Sequence, residues 1–152
     1  MIGLRIAGGL LAVATLSTAT ACASLDASAR AEGAGVAAAS TRPTDHLELL
    51  LQQALPTVKG KTFTAAIVDL PPDARAAPHR HGQAFVYAYV LEGTVRSQLE
   101  GKPVTTYHQG QNWVEQPGAH HLLTENTSPT KAARLLVVFV SDTGAALKTD
   151  DR

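Results

Sequence analysis

Apolar and polar residues change their period near residue 60. In TDHLELLLQQAL (44–55), Leu47, Leu50, Leu51 and Leu55 recur at helical spacing. Thr44 or Asp45 is available as N-cap and Pro56 as the stop, so the spacing predicts one short amphipathic helix lying on the domain. His46 falls in its first turn, facing solvent. From Thr62 onward the pattern is of short β-branched and aromatic runs: TFTAAIVDL (62–70), FVYAYVL (85–91), TVRSQLE (94–100), VTTYHQ (104–109), NWVEQ (112–116), HHLLTEN (120–126) and ARLLVVFVS (133–141). Gly and Pro turns separate them and no helical pattern intervenes. That indicates an all-β antiparallel domain, a jelly roll or small barrel, which closes most of the edges such strands would otherwise expose.

The two ends have a different character. Residues 1–22 read as a secretory signal peptide: a short n-region with Arg5, an apolar stretch IAGGLLAVATL, then the small residues of TATAC. Cys22 is the only cysteine, and ATAC resembles a bacterial lipobox with Ala19 where Leu is usual. Two readings stand: Cys22 is acylated and tethers a lipoprotein to the membrane, or the signal is cleaved plainly and the product is released into the periplasm. Residues 23–43 are rich in Ala, Ser and Gly and read as a flexible linker. The barrel domain is then expected over 44–145, with 146–152 a frayed tail.

Composition narrows the partners. The 152 residues suffice for one domain with a core. Lys plus Arg and Asp plus Glu both number 13, so no basic stripe exists to neutralise phosphates, and nucleic acid is excluded as the natural partner. With a single Cys, any metal site must use His, carboxylate or amide ligands.

Five of the six histidines lie between residues 79 and 121. His79 and His81 sit one residue apart at the entrance to a strand, where side chains at i and i+2 share a face with Cα atoms about 6.5–7 Å apart. Two imidazoles so placed can converge on one ion, or can form a polar strip on an exposed face. His120 and His121 are adjacent and point to opposite faces, so at most one of them joins the first pair. His108 precedes a turn and reads as exposed. Phe85, Tyr87, Tyr89 and Trp113 are candidates to line a pocket or to pack in the core.

These residues fall into two motifs, over roughly 62–141, that resemble those of the small single-domain cupins. HRHGQAFVYAYVLEG supplies the His-x-His pair and the closing Gly93, and GQNWVEQPGAHHLLTEN supplies Gly110, Gly118 and His121. The resemblance implies a cupin-type β-barrel in which His79, His81 and His121 hold a divalent metal, with His120 facing outward or supporting a ligand. Three departures stand out. The Glu of the first motif falls on Val86, Gln116 replaces the first Pro of Pro-x-Gly, and the Asn arrives one position late as Asn126. Without that carboxylate a three-histidine site favours Zn, Fe, Cu or Ni over Mn or Mg. Gln83 is either an amide fourth ligand or a solvent-exposed turn residue, and Glu125 shares strand parity with His121, where it can support the imidazole.

The chain therefore reads as an exported cupin-domain protein that binds a divalent metal and acts on a small molecule by a reaction the residues do not specify. The alternatives are a non-catalytic module of the cell envelope that binds a metal or small ligand, and a structural homodimer paired through its sheets.

Overall fold

Backbone hydrogen bonding follows the short apolar runs closely over residues 42–151, the part of the chain that the computed structural model describes. The strands are β1 (His46–Ala54), β2 (Lys61–Leu70), β3 (Arg75–Ala76), β4 (His79–Arg80), β5 (Phe85–Glu92), β6 (Thr94–Leu99), β7 (Thr105–His108), β8 (Asn112–Glu115), β9 (His120–Glu125), β10 (Ala133–Asp142) and β11 (Thr149–Asp150). One sheet has the order β1-β2-β10-β5-β8. The other has the order β11-β4-β9-β6-β7, with β3 also pairing β9, and every pairing is antiparallel. This is the two-sheet all-β architecture expected of a jelly roll.

Alternation along the strands of the first sheet builds the core. Thr64, Ala66, Val68 and Leu70 of β2, Val86, Ala88 and Val90 of β5, and Ala133, Leu135, Val137 and Phe139 of β10 are all buried. Phe85, Tyr87 and Tyr89 occupy the intervening positions of β5 and face away from this core, Phe85 being 37% exposed. They therefore do not line the interior, and of the four aromatic candidates only Trp113 does.

Gly93 passes the chain from β5 in one sheet to β6 in the other. Its φ is 76°, and a Cβ there would lie 2.8 Å from the Ala132 carbonyl oxygen. Only glycine meets both demands, the left-handed backbone and the close approach.

Two expectations need correction. The segment 44–55 is not a helix but strand β1, paired with β2 from His46↔Asp69 to Ala54↔Thr62. The register shifts between Leu49 and Leu51, so the strand carries a bulge at Leu50. That extra residue breaks the period of two and leaves the leucines at a spacing that imitates a helix. Pairing wins because a helix here would strip β2 of its partner along one whole edge. Leu47 packs on the core, whereas Leu49, Leu50 and Leu51 are about half exposed.

The second correction concerns 146–152. Thr149 and Asp150 pair with Arg80 and His79, and the Asp151 amide donates to the Pro78 carbonyl, so residues 147–151 form a strap along β4 rather than a frayed end. At the other end of the barrel domain, the Pro43 carbonyl accepts a hydrogen bond from the Arg75 amide, which ties the last residue of the expected linker to β3. The expected signal peptide, Cys22 and the linker up to residue 41 lie outside the described residues.

Candidate metal centre

Three imidazoles meet inside the barrel because of one strand pairing and one strand period. His79 and His121 are direct cross-strand partners of β4 and β9, which places their side chains on the same face. His81 follows His79 by two residues and shares that face. The ring centroid of His79 lies 4.8 Å from that of His81 and 5.0 Å from that of His121. One nitrogen from each of the three rings lies within 4.8 Å of the others. The same pairing sets Arg80 opposite His120 and so turns His120 outward, where its Nε2 lies 2.7 Å from Asp151 Oδ2.

Backbone carbonyls orient two of the rings. His79 Nδ1–H donates to the Ala77 carbonyl at 2.7 Å, and His81 Nδ1–H donates to the carbonyl of Leu147 in the C-terminal strap. In both rings Nε2 is then the nitrogen with a free lone pair, the form a metal ligand requires. His121 is held differently: the hydroxyl oxygens of Ser97 and Thr124 each lie 2.8 Å from its Nε2. Burial lowers the pKa of His79 to about 4, against the raising effect of the Ala77 carbonyl, with His121, His81 and Lys148 lowering it further. His81 is lowered mainly by burial as well. Both rings are therefore neutral near pH 7 and need lose no proton to bind a cation.

A bulge in β9 decides what surrounds His121. His121 pairs with Leu99 and Leu123 with Gln98, which makes Leu122 the extra residue. Beyond it the facing of side chains reverses. Thr124, three residues on, returns to the His121 ring, and Glu125 turns to Arg96 at 3.2 Å and Arg42 at 3.6 Å. The parity that placed Glu125 beside the site fails for this reason. Gln83 is exposed at the turn after His81, near Gly118, and is not among the residues lining the cavity. His46 and His108 are exposed, as expected.

The carboxylate at the site is Glu115, which the motifs do not single out. It is 2% exposed, with Oε1 3.0 Å from His121 Nδ1 and accepting from Trp113 Nε1–H at 3.2 Å, and Oε2 3.7 Å from His81 Nε2. Burial pushes its pKa up, but the His121 hydrogen bond, the electrostatic influence of His121 and His81 and the Trp113 bond outweigh this and hold it below the ordinary carboxylate value. Strand parity carries the signal that could have found it: Trp113 and Glu115 are separated by two residues, so a buried Trp113 brings Glu115 inside with it.

The imidazoles open onto a cavity of about 50 Å³, walled chiefly by Val68, Ala88, Leu135, Val137, Phe139 and Trp113, with Asp45 and Lys148 also lining it. A site of one water needs roughly 10–15 Å³ on this scale, so the space admits an ion and a ligand of a few heavy atoms. The donor set fits a divalent transition metal: three imidazole-bearing residues converge, and a buried carboxylate oxygen beside them, Glu115 Oε2, has no hydrogen-bond partner among the described residues.

Residues 66–139 match the family model described as Cupin domain. Solved structures share the fold. The cupin domain of Cnp3 from Schizosaccharomyces pombe aligns with a TM-score of 0.53 at 17% identity, over 65% of this chain and 62% of that one. The DMSP lyase DddQ from Ruegeria pomeroyi DSS-3 aligns with a TM-score of 0.56 at 20% identity, over 69% and 50%. An oxalate oxidase in complex with the substrate analogue glycolate aligns with a TM-score of 0.54 at 18% identity, over 70% and 55%. The chain spans about half to two thirds of the length of these structures. No curated protein matches the sequence. The match over residues 66–139 and the shared fold support a small cupin domain, and the three clustered histidines can hold a metal ion.

Proposed function

We propose that this protein is a metal-dependent enzyme acting on a small molecule that carries a carbonyl or carboxylate group. The observation that carries the reading is the convergence of His79, His81 and His121 at a mostly apolar cavity. A bound divalent ion supplies Lewis acidity to a ligand oxygen. The chain's own residues would do the rest: the three imidazoles would hold the ion, the hydroxyls of Ser97 and Thr124 would orient His121, and Phe139, Val137 and Trp113 give the site apolar walls. Lys148, the only lysine or arginine among the described residues lining the cavity, is paired with Asp150 at 3.0 Å and Asp45 at 3.6 Å. The lyase and the oxalate oxidase that share the fold support small-molecule chemistry of this kind, while fold alone leaves the reaction open.

The test is to load the protein with Fe, Cu, Ni or Zn and screen small carboxylates and carbonyl compounds for loss of substrate and for O₂ uptake. Turnover with one metal is the expected result. Melting shifts with these compounds but no turnover under any metal would replace the enzyme with a binding module.

We further propose that the protein is exported and acts in the periplasm or at the membrane. The support is the n-region, the apolar stretch and the small-residue site at the N-terminus, with Cys22 in the lipobox position. Palmitate labelling of the wild type, lost in Cys22→Ser, is expected for the anchored form. Equal labelling of the two would leave only soluble export.

A further inference from the structure

The first cupin motif lacks its carboxylate at Val86, yet the cavity is not without one. We infer that Glu115 is the fourth ligand of the metal centre, so that the carboxylate has moved from β5 to the neighbouring strand β8. This rests on the three-histidine metal reading above and deepens it.

Register carries the argument first. Val86 and Glu115 are paired residues of β5 and β8, both buried at 1% and 2% exposure. Directly opposite residues of an antiparallel pair present their side chains to the same face about 4.5–5.5 Å apart. A carboxylate at residue 115 therefore enters the same patch of the interior as one at residue 86 would, from the next strand over.

The second observation is the state of that carboxylate. Oε1 is engaged by Trp113 Nε1–H and lies 3.0 Å from His121 Nδ1, whereas Oε2 is buried without a hydrogen-bond partner among the described residues. A buried, unpaired carboxylate oxygen is costly and is retained where something binds it. Oε2 lies 3.7 Å from His81 Nε2. Bonds of about 2.0–2.2 Å in a tetrahedral arrangement separate neighbouring ligand atoms by roughly 3.3–3.6 Å, so these two atoms already stand near the spacing of co-ligands. The Trp113 indole, fixed against Tyr107 at a centroid distance of 4.7 Å, pins the other oxygen and aims the free one. Glu115 thereby restores the negative charge that Val86 removes.

The test measures Zn affinity by competition with a chelator, and the visible spectrum of the Co(II)-loaded protein, in the wild type and in Glu115→Gln. The Gln variant keeps the shape and an acceptor for Trp113 while removing the charge. We expect one ion per wild-type chain, an affinity at least about 100-fold weaker in Glu115→Gln, and an altered Co(II) spectrum, since spectrum follows the ligand set. Moving the carboxylate back, in Val86→Glu/Glu115→Val, is expected to regain affinity. Equal affinity and an unchanged spectrum in Glu115→Gln would overturn this inference and leave the three-histidine site standing. Weakened affinity with an unchanged spectrum would also overturn it, making Glu115 a positioning residue that acts through His121. A wild type that binds neither Zn nor Co would overturn the metal reading itself. If Glu115→Gln does not fold, Glu115→Ala carries the same comparison.

Discussion

Replacing His79 and His81 together with Ala is expected to take bound metal from about one ion per chain to background. It should also abolish the rise in melting temperature that metal produces in the wild type. The two residues contribute two of the three imidazoles, and both offer Nε2 because carbonyls hold their Nδ1–H groups. What remains is one imidazole, His121, with the Glu115 carboxylate 3.0 Å from it. A ligand at 1,000 times its dissociation constant stabilises the folded state by about 4 kcal/mol, and about 1 kcal/mol moves the midpoint of a domain near this size by roughly 4 °C or more. The wild type should therefore melt on the order of 15 °C higher with Zn than without it, and the double variant should not respond. Without metal the variant need not melt lower, because burying two imidazoles itself costs free energy. Metal content measured on untagged protein checks this, and equal, substoichiometric metal in both forms would end the metal hypothesis.

The metal-free protein is expected to lose stability steeply as the pH falls from about 6.5 toward 4. His79 titrates near 6.5 when unfolded and near 4 in the folded protein, so between those values the unfolded chain binds the extra proton. Stability rises with pH wherever that holds, so the contribution is complete above the unfolded value and declines in acid. At about 1.36 kcal/mol per pKa unit, the loss from His79 alone is roughly 2 kcal/mol by pH 5 and about 3 kcal/mol near pH 4. His81 is lowered for the same reason and adds to the effect. Glu115 acts in the same direction lower down: its folded value lies below its unfolded one, so its contribution is present above the unfolded value and lost as the pH falls through the folded one. Calorimetry of the chelator-treated protein at pH 7 and pH 5 measures the slope, which should flatten in His79→Ala. A melting temperature that is the same at both pH values would contradict the buried, neutral imidazoles described above.

Much of the site is legible in the sequence. His-x-His at a strand entrance puts two imidazoles on one face whatever the fold, and the second motif selects His121 over His120, which the β4–β9 pairing repeats. Gly93, the closing glycine of the first motif, stands where the backbone demands it. Gln83 and Glu125 are misplaced when local position alone is considered. Gln83 follows His81 but sits on an exposed turn, and the bulge at Leu122 reverses the facing that parity assigns to Glu125.

Local pattern alone accounts for the series of strands, the faces within most of them and the shared face of His79 and His81, which follow from periods of two and from glycine and proline turns acting over a few residues. The choice of His121 and the missing carboxylate at Val86 come instead from the resemblance of the two motifs to those of cupins. Strand pairing, by contrast, makes 46–54 a strand, brings the C-terminal strap to His81, turns Phe85, Tyr87 and Tyr89 outward, and stands Glu115 opposite Val86. Each of those depends on which strand lies beside which and in what register. Partners far apart in the chain settle that by satisfying one another's backbone groups and burying a common face, and no local pattern records it.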